Sequence, residues 1–377
     1  MEVNHKQLKY LISEFRTVGK PLFIKGATGV GKSEAVLLDS KEYATKIGRV
    51  WKAWTDLTIQ DRKNLLNDDE LAKIHLFVDV RTALLEPTDL MGMPSLNGSF
   101  VEWKPTLLFK ILSMPSVSAT VFFDEFNLGS RMVQNSCYQI ILDKAIGETR
   151  LGKDVFIIAA GNRAEDKAYI IETPAPLLNR FGHCVLKCPT VEEWVTYNMN
   201  SKYPEPRLCA FLKFKPEYIH GFKPDLKEEA FSSPRQLQDV AQMICDKDEK
   251  KHLDIISMVA KSKCGEAFGM EFVAFLKMSI KVNVDDILNN PEKASEIKEL
   301  DLKYSLISGV AHKVKQNFKK YFTPALKVCD NIEEEFGIFL LSMIKELVGR
   351  NKFTQSLLNS ELWVTKLAEK YRDLMED

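Results

Sequence analysis

Eight residues constrain this chain more than any others: Gly26-Ala27-Thr28-Gly29-Val30-Gly31-Lys32-Ser33. Two glycines enclose four residues and are followed at once by Lys and a hydroxyl residue. The apolar run Pro21-Leu22-Phe23-Ile24-Lys25 precedes them, and a helical pattern from Lys32 to about Ala44 follows. A strand, a glycine turn and a helix in that order commit the chain to an α/β arrangement. Backbone N–H groups of such a turn converge at the positive end of the helix dipole. That geometry cradles phosphate oxygens. Lys32 is placed to reach β- and γ-phosphates, and the Ser33 hydroxyl to ligate Mg²⁺.

The rest of the N-terminal half supplies further short apolar strands. Ile74–Val80, Val121–Phe123, Val155–Ala160 and Cys184–Leu186 alternate with helical patterns at Pro105–Leu112, Met132–Leu142 and Ala175–Asn179. Leu8, Leu11, Ile12 and Phe15 at helical spacing predict a leading amphipathic helix. Residues 51–73 are polar and predict a surface excursion, and Trp51, Trp54 and Trp103 are expected as packing anchors. Strands alternating with helices imply a mainly parallel sheet covered on both faces. Beyond about residue 190 only helical patterns remain, at 191–200, 205–213, 234–246, 251–263, 265–280, 303–321, 331–349 and 354–375. The expected division is an α/β nucleotide-binding domain over 1–195, a helical lid over 196–285 and a helical extension over 286–377.

A second chemical feature ends the third strand. Val121-Phe122-Phe123-Asp124-Glu125 places two carboxylates where a parallel strand runs out, the edge at which α/β sheets bind ligands. Asp124 suits a Mg²⁺ ligand acting through water, and Glu125 the base that polarises an attacking water. Lys+Arg and Asp+Glu both number 52, so no net field draws the chain to nucleic acid or an anionic membrane. The seven cysteines form no CxxC pair and are expected as buried thiols in a reducing, cytoplasmic compartment. The polar start Met1-Glu2-Val3-Asn4-His5 lacks a signal-peptide core, and no apolar run is long enough to span a bilayer.

Together these residues resemble the AAA+ ATPases. Asp124-Glu125 looks like that family's paired acids. Asn162, after the Val155–Ala160 strand, matches its sensor-1 polar residue. Leu177-Leu178-Asn179-Arg180-Phe181 resembles the segment carrying its arginine finger, and Ser233-Pro234-Arg235 its sensor-2 arginine. Leu84-Leu85-Glu86-Pro87-Thr88-Asp89-Leu90-Met91-Gly92, then Gly98-Ser99-Phe100 and Pro105, resembles the MoxR and dynein-related branch, which carries a hairpin insertion here. Val133-Gln134 after Phe126-Asn127 fits the same branch. The likeness covers about residues 20–240. It departs from the family at Leu128, where Arg commonly stands beside the Asn, with Arg131 nearby, and at Gly161-Asn162-Arg163, which replaces Asn-Pro.

The resemblance implies ATP and Mg²⁺ as ligands, with ATP between core and lid. Gly26, Thr28, Gly29, Val30, Gly31, Lys32 and Ser33 would hold ATP, and Ser33 and Asp124 the metal. Glu125, Asn162, Arg180 and Arg235 would serve catalysis. It also implies a ring, six-membered in the family, whose motion remodels a protein partner, often one with a von Willebrand A-type domain. A nucleic-acid motor or loader, and a slowly hydrolysing nucleotide-dependent scaffold, are the alternatives.

Overall fold

The computed structural model describes residues 1–97, 99–147, 149–163, 171–222 and 229–371. Gly98, part of the hairpin resemblance, lies outside them. The chain divides into two compact units, Met1–Cys188 and Pro189–Asp377.

The first unit is built on strands β1 (Glu2–Val3), β2 (Leu22–Lys25), β3 (Val50–Ala53), β4 (Ile74–Arg81), β5 (Met93–Asn97), β6 (Phe100–Lys104), β7 (Ser118–Asp124), β8 (Ala145–Ile146), β9 (Thr149–Arg150), β10 (Asp154–Gly161) and β11 (Gly182–Leu186). Seven of them form one sheet in the order β1-β11-β2-β10-β7-β4-β3. Every neighbouring pair in it is parallel. Parallel pairing needs crossovers, so helices must cover both faces. The alternation along the strands sorts the core accordingly. Leu22, Ile24, Phe122, Ile158 and Ala160 pack with Leu8 and Ile12 of helix α1 (His5–Thr17) and Val36 of helix α2 (Lys32–Lys46). Phe23, Val121, Phe123, Ile157 and Ala159 pack with Phe109, Ile111, Leu112, Val133, Cys137 and Ile140 on the other face. This is the expected fold class as far as its architecture goes: an α/β core on a parallel sheet, followed by helices.

Some expectations fail for identifiable reasons. Residues 51–73 are not all an excursion, because β3 is the edge strand beside β4. Trp51 and Trp54 do pack, the first donating to Ser40 Oγ at 3.1 Å and the second lying under the Arg62 guanidinium. Trp103 does not, being exposed on the β5–β6 hairpin. Cross-strand partners there are Pro94 with Trp103 and Leu96 with Val101. Partners share a face, so one face of the hairpin carries four exposed apolar side chains.

In the second unit one continuous hydrophobic core runs from Val191 to Tyr371. The segments expected as lid and as extension share that core. The helical pattern expected over 303–321 is two helices, Leu300–Gln316 and Phe318–Asp330. Asn317 interrupts it and caps the second, accepting from Lys320 N at 3.2 Å. Arg207 is buried and bidentate to Glu205, with Nε–Oε1 at 2.6 Å and Nη2–Oε2 at 2.7 Å. The same guanidinium donates at 2.8 Å to the carbonyls of Ile244 and Lys247, closing the end of helix Pro234–Ile244. No described helix is long and apolar enough to cross a membrane.

Candidate nucleotide site

The glycine loop leaves β2 at Lys25 and enters α2 at Lys32. Gly29 and Gly31 have φ of 79° and 96°, in the left-handed region where a side chain would be strained. Gly26 lies flat against the sheet, and a Cβ there would sit 3.0 Å from Leu186 O. Such a loop can bring backbone close to a ligand. The Lys32 ammonium is buried and lies over the loop's own carbonyls, 2.7 Å from Gly26 O and 2.9 Å from Ala27 O. Val30 is buried, while Thr28 is exposed at the loop's crest.

The two residues expected at the metal meet directly. Ser33 Oγ donates to Asp124 Oδ2 at 2.7 Å, across 91 residues of sequence. A hydroxyl and a carboxylate are the hard oxygen donors Mg²⁺ takes, so the donor set fits the ion. A third carboxylate stands close by. Asp79 is the pair of Phe122 in the β4–β7 register, two residues before Arg81 and Asp124. Its carboxyl is pushed above the usual range, first by burial and then by Asp124 and Glu125, while Arg81 pulls it down. Its Oδ1 is buried and lacks a hydrogen-bond partner among the described residues.

Glu125 follows at the point where β7 leaves the sheet. It is exposed, with φ of 53° and ψ of 37°, a conformation that costs a residue with a Cβ roughly 1–2 kcal/mol. Its N–H donates to Asp124 Oδ1 at 2.9 Å, and its carbonyl accepts from Leu128 N at 2.8 Å.

Asn162 directly follows β10 beside the loop, its Oδ1 3.3 Å from Lys32 Nζ. It is held by Asn127, buried, which donates from Nδ2 to Asn162 O at 2.8 Å and accepts from Asn162 N at 3.1 Å on Oδ1. Asn127 therefore fixes Asn162 from the segment just after Glu125. The sequence marked Asn127 as a family match without indicating this contact.

Arg180 is not brought to the cradle. It is exposed and precedes β11 by two residues, and β11 begins with Gly182 in register with Leu22. Strands β2 and β11 are parallel, so Arg180 lies toward the sheet edge opposite the glycine loop. Arg235 belongs to the second unit, where it is an exposed first-turn residue of helix Pro234–Ile244.

No protein-family model matches the chain, and no curated protein does. Solved structures do. RuvB from Thermotoga maritima is 14% identical over 71% of this chain and 67% of its own, with a TM-score of 0.36. Aeropyrum pernix ORC2, in ADPNP and ADP complexes, is 12% identical over 94% of each chain, with a TM-score of 0.38. C. elegans PCH-2 is 10% identical over 73% of this chain and 68% of its own, with a TM-score of 0.32. Likeness at this level is no guide to what this chain binds or does.

Proposed function

We propose that this chain is a Mg²⁺-dependent ATPase of AAA+ type that works as a ring and remodels a protein partner. The observation that carries the ATPase reading is convergence at one sheet edge. The glycine loop with Lys32 and Ser33, Asp124 with Glu125, and Asn162 come from the ends of three separate strands, β2, β7 and β10, and meet there.

On this reading Lys32 exchanges its loop carbonyls for phosphate oxygens, and the backbone of Gly26–Ser33 wraps the phosphates. Ser33 and Asp124 hold the ion, which when bound offsets charge on the phosphoryl group being transferred. Glu125 accepts the proton of the attacking water. The Asn162 carboxamide orients that water. Arg180, lying toward the far edge of its own sheet, is supplied to a neighbouring subunit's site. A head-to-tail contact of that kind closes into a ring, and six members is the number the resemblance implies. Arg235 is the proposed sensor-2 residue.

Two features favour a protein partner over nucleic acid. The formal charge is zero, and the hairpin face of Pro94, Leu96, Val101 and Trp103 is apolar and exposed. Such a face suits a polypeptide segment better than a phosphate backbone. A partner with a von Willebrand A-type domain fits the MoxR-like branch. Calorimetric titration of ATP and Mg²⁺ into wild type and Lys32→Ala tests the cradle: binding should be abolished or greatly weakened in the variant. Unchanged affinity would remove the assignment. Stimulation of turnover by DNA or RNA in place of protein would favour a motor or loader.

A further inference from the structure

The base proposed above sits on a strained backbone, and something must hold it there. The hydrogen bonds around Glu125 identify the residue. Thr82 lies at the end of β4, directly after Arg81, which is the register partner of Asp124. Its side chain is buried, with 1% of the residue exposed. Its hydroxyl donates to Glu125 O at 2.9 Å and lies 3.3 Å from Asp124 O. Among the described residues, this is the one side chain outside the Asp124–Gly129 turn that bonds Glu125.

The contact closes a set. Glu125 N–H is taken by Asp124 Oδ1, and its carbonyl accepts from Leu128 N and from Thr82. Both peptide groups flanking Glu125 are therefore pinned in the left-handed conformation that aims its side chain. The Leu128 bond belongs to the turn itself and travels with it. The Thr82 bond ties the turn to the neighbouring strand. A second contact fixes the hydroxyl from the other side. Gly129, closing the turn, comes so close that a Cβ there would lie 2.9 Å from Thr82 Cβ and 3.1 Å from Oγ1. A buried hydroxyl wedged against a glycine can donate only to the two turn carbonyls, and Glu125 O is the nearer.

We infer that Thr82 is a positioning residue for catalysis: its hydroxyl locks the backbone that points Glu125 at the attacking water. It touches neither nucleotide nor water and acts through Glu125, so this rests on the assignment of Glu125 as base. Valine at position 82 would keep the shape and delete the donor, leaving Glu125 O with the Leu128 N–H alone. A local relaxation of the φ 53° conformation then swings the carboxylate away from the water while the glycine loop, Lys32 and the Ser33–Asp124 pair stay in place.

The experiment measures kcat, KM for ATP, and ATP-binding stoichiometry for wild type, Thr82→Val, Thr82→Ser and Glu125→Gln, with thermal midpoints alongside. Thr82→Val should lower kcat by about 10–100-fold, the scale of a misplacement near 1 Å. Its KM and stoichiometry should stay within about twofold of wild type, because binding is made elsewhere. Thr82→Ser, which restores the hydroxyl, should recover most of the loss. Wild-type kcat in Thr82→Val beside an inactive Glu125→Gln would overturn the positioning role while leaving the base assignment intact. Equal losses in the valine and serine variants would assign the effect to packing and overturn it as well. Wild-type turnover in Glu125→Gln would remove the base, and this inference with it.

Discussion

Deleting the Arg180 guanidinium should disable a site to which, within one subunit, that side chain does not belong. Arg180 lies two residues before Gly182, which is level with Leu22, and the loop begins four residues further along β2 at Gly26. At about 3.3 Å per strand residue, that is roughly 13 Å before counting the two residues preceding β11. An extended arginine reaches about 7 Å from its Cα. The side chain therefore falls short of its own glycine loop, and on the proposed reading it serves another subunit. A finger of this kind typically contributes about 10³–10⁵ in rate, or roughly 4–7 kcal/mol of barrier. Phosphate release measured across protein concentration should rise steeply as rings assemble. Arg180→Ala should lose about three to five decades of kcat while binding ATP through Lys32. Mixing Arg180→Ala with Lys32→Ala should restore activity, because about a quarter of randomly assembled head-to-tail interfaces pair an intact cradle with an intact finger. Concentration-independent wild-type turnover in a preparation that light scattering shows to be monomeric would refute the shared site.

Two further predictions concern the first unit. Buried His75, bonded to Ser118 Oγ and Thr120 Oγ1, has its pKa held down to about 3 by burial, with repulsion from Arg16 and Arg49 added. Between pH 6.5 and that value the unfolded chain binds a proton the folded one refuses, so the contribution is full above 6.5 and is lost on acidification. Chemical denaturation should show wild type losing about 2 kcal/mol more than His75→Gln between pH 6.5 and 5, at about 1.4 kcal/mol per pH unit; parallel pH profiles would contradict it. Gly161→Ala would put a Cβ 2.6 Å from Asn127 Oδ1, against the side chain that holds Asn162. It should cost about 1–3 kcal/mol of stability and lower kcat more than ATP affinity, seen by thermal melting and steady-state kinetics.

The glycine loop proposed as a phosphate cradle was legible in the sequence because its chemistry and its local geometry are the same eight residues. Asp124 and Glu125 were legible for a related reason, since an apolar run ending in acids says where a buried strand stops. The contacts that organise the site were not. Asn127 grips Asn162 across 35 residues, and Thr82 reaches Glu125 across 43. Neither spacing leaves a periodic trace. Asp79 gave no signal either, being an isolated acid in a strand that also carries His75 and Arg81. Strand β3 was hidden because an edge strand need not be apolar: Val50 is 58% exposed and Lys52 is exposed too. The helical region was read as helices throughout, but the core shared across 285 was not visible, because what unites the two parts is packing between helices far apart in sequence. Asn317 was the available sign that one long pattern was two helices, a capping residue that apolar periodicity runs straight through.

The most direct test of the ATPase reading is single-turnover and steady-state phosphate release by wild type and Glu125→Gln, with ATP binding measured on the same preparations. Wild type should release phosphate in a Mg²⁺-dependent manner. Glu125→Gln, which keeps shape and hydrogen bonding but lacks the base, should bind ATP with comparable affinity, hydrolyse it at least about 10²-fold more slowly and accumulate as the ATP-bound assembly. Equal turnover by the two proteins, or no nucleotide binding by either, would contradict it.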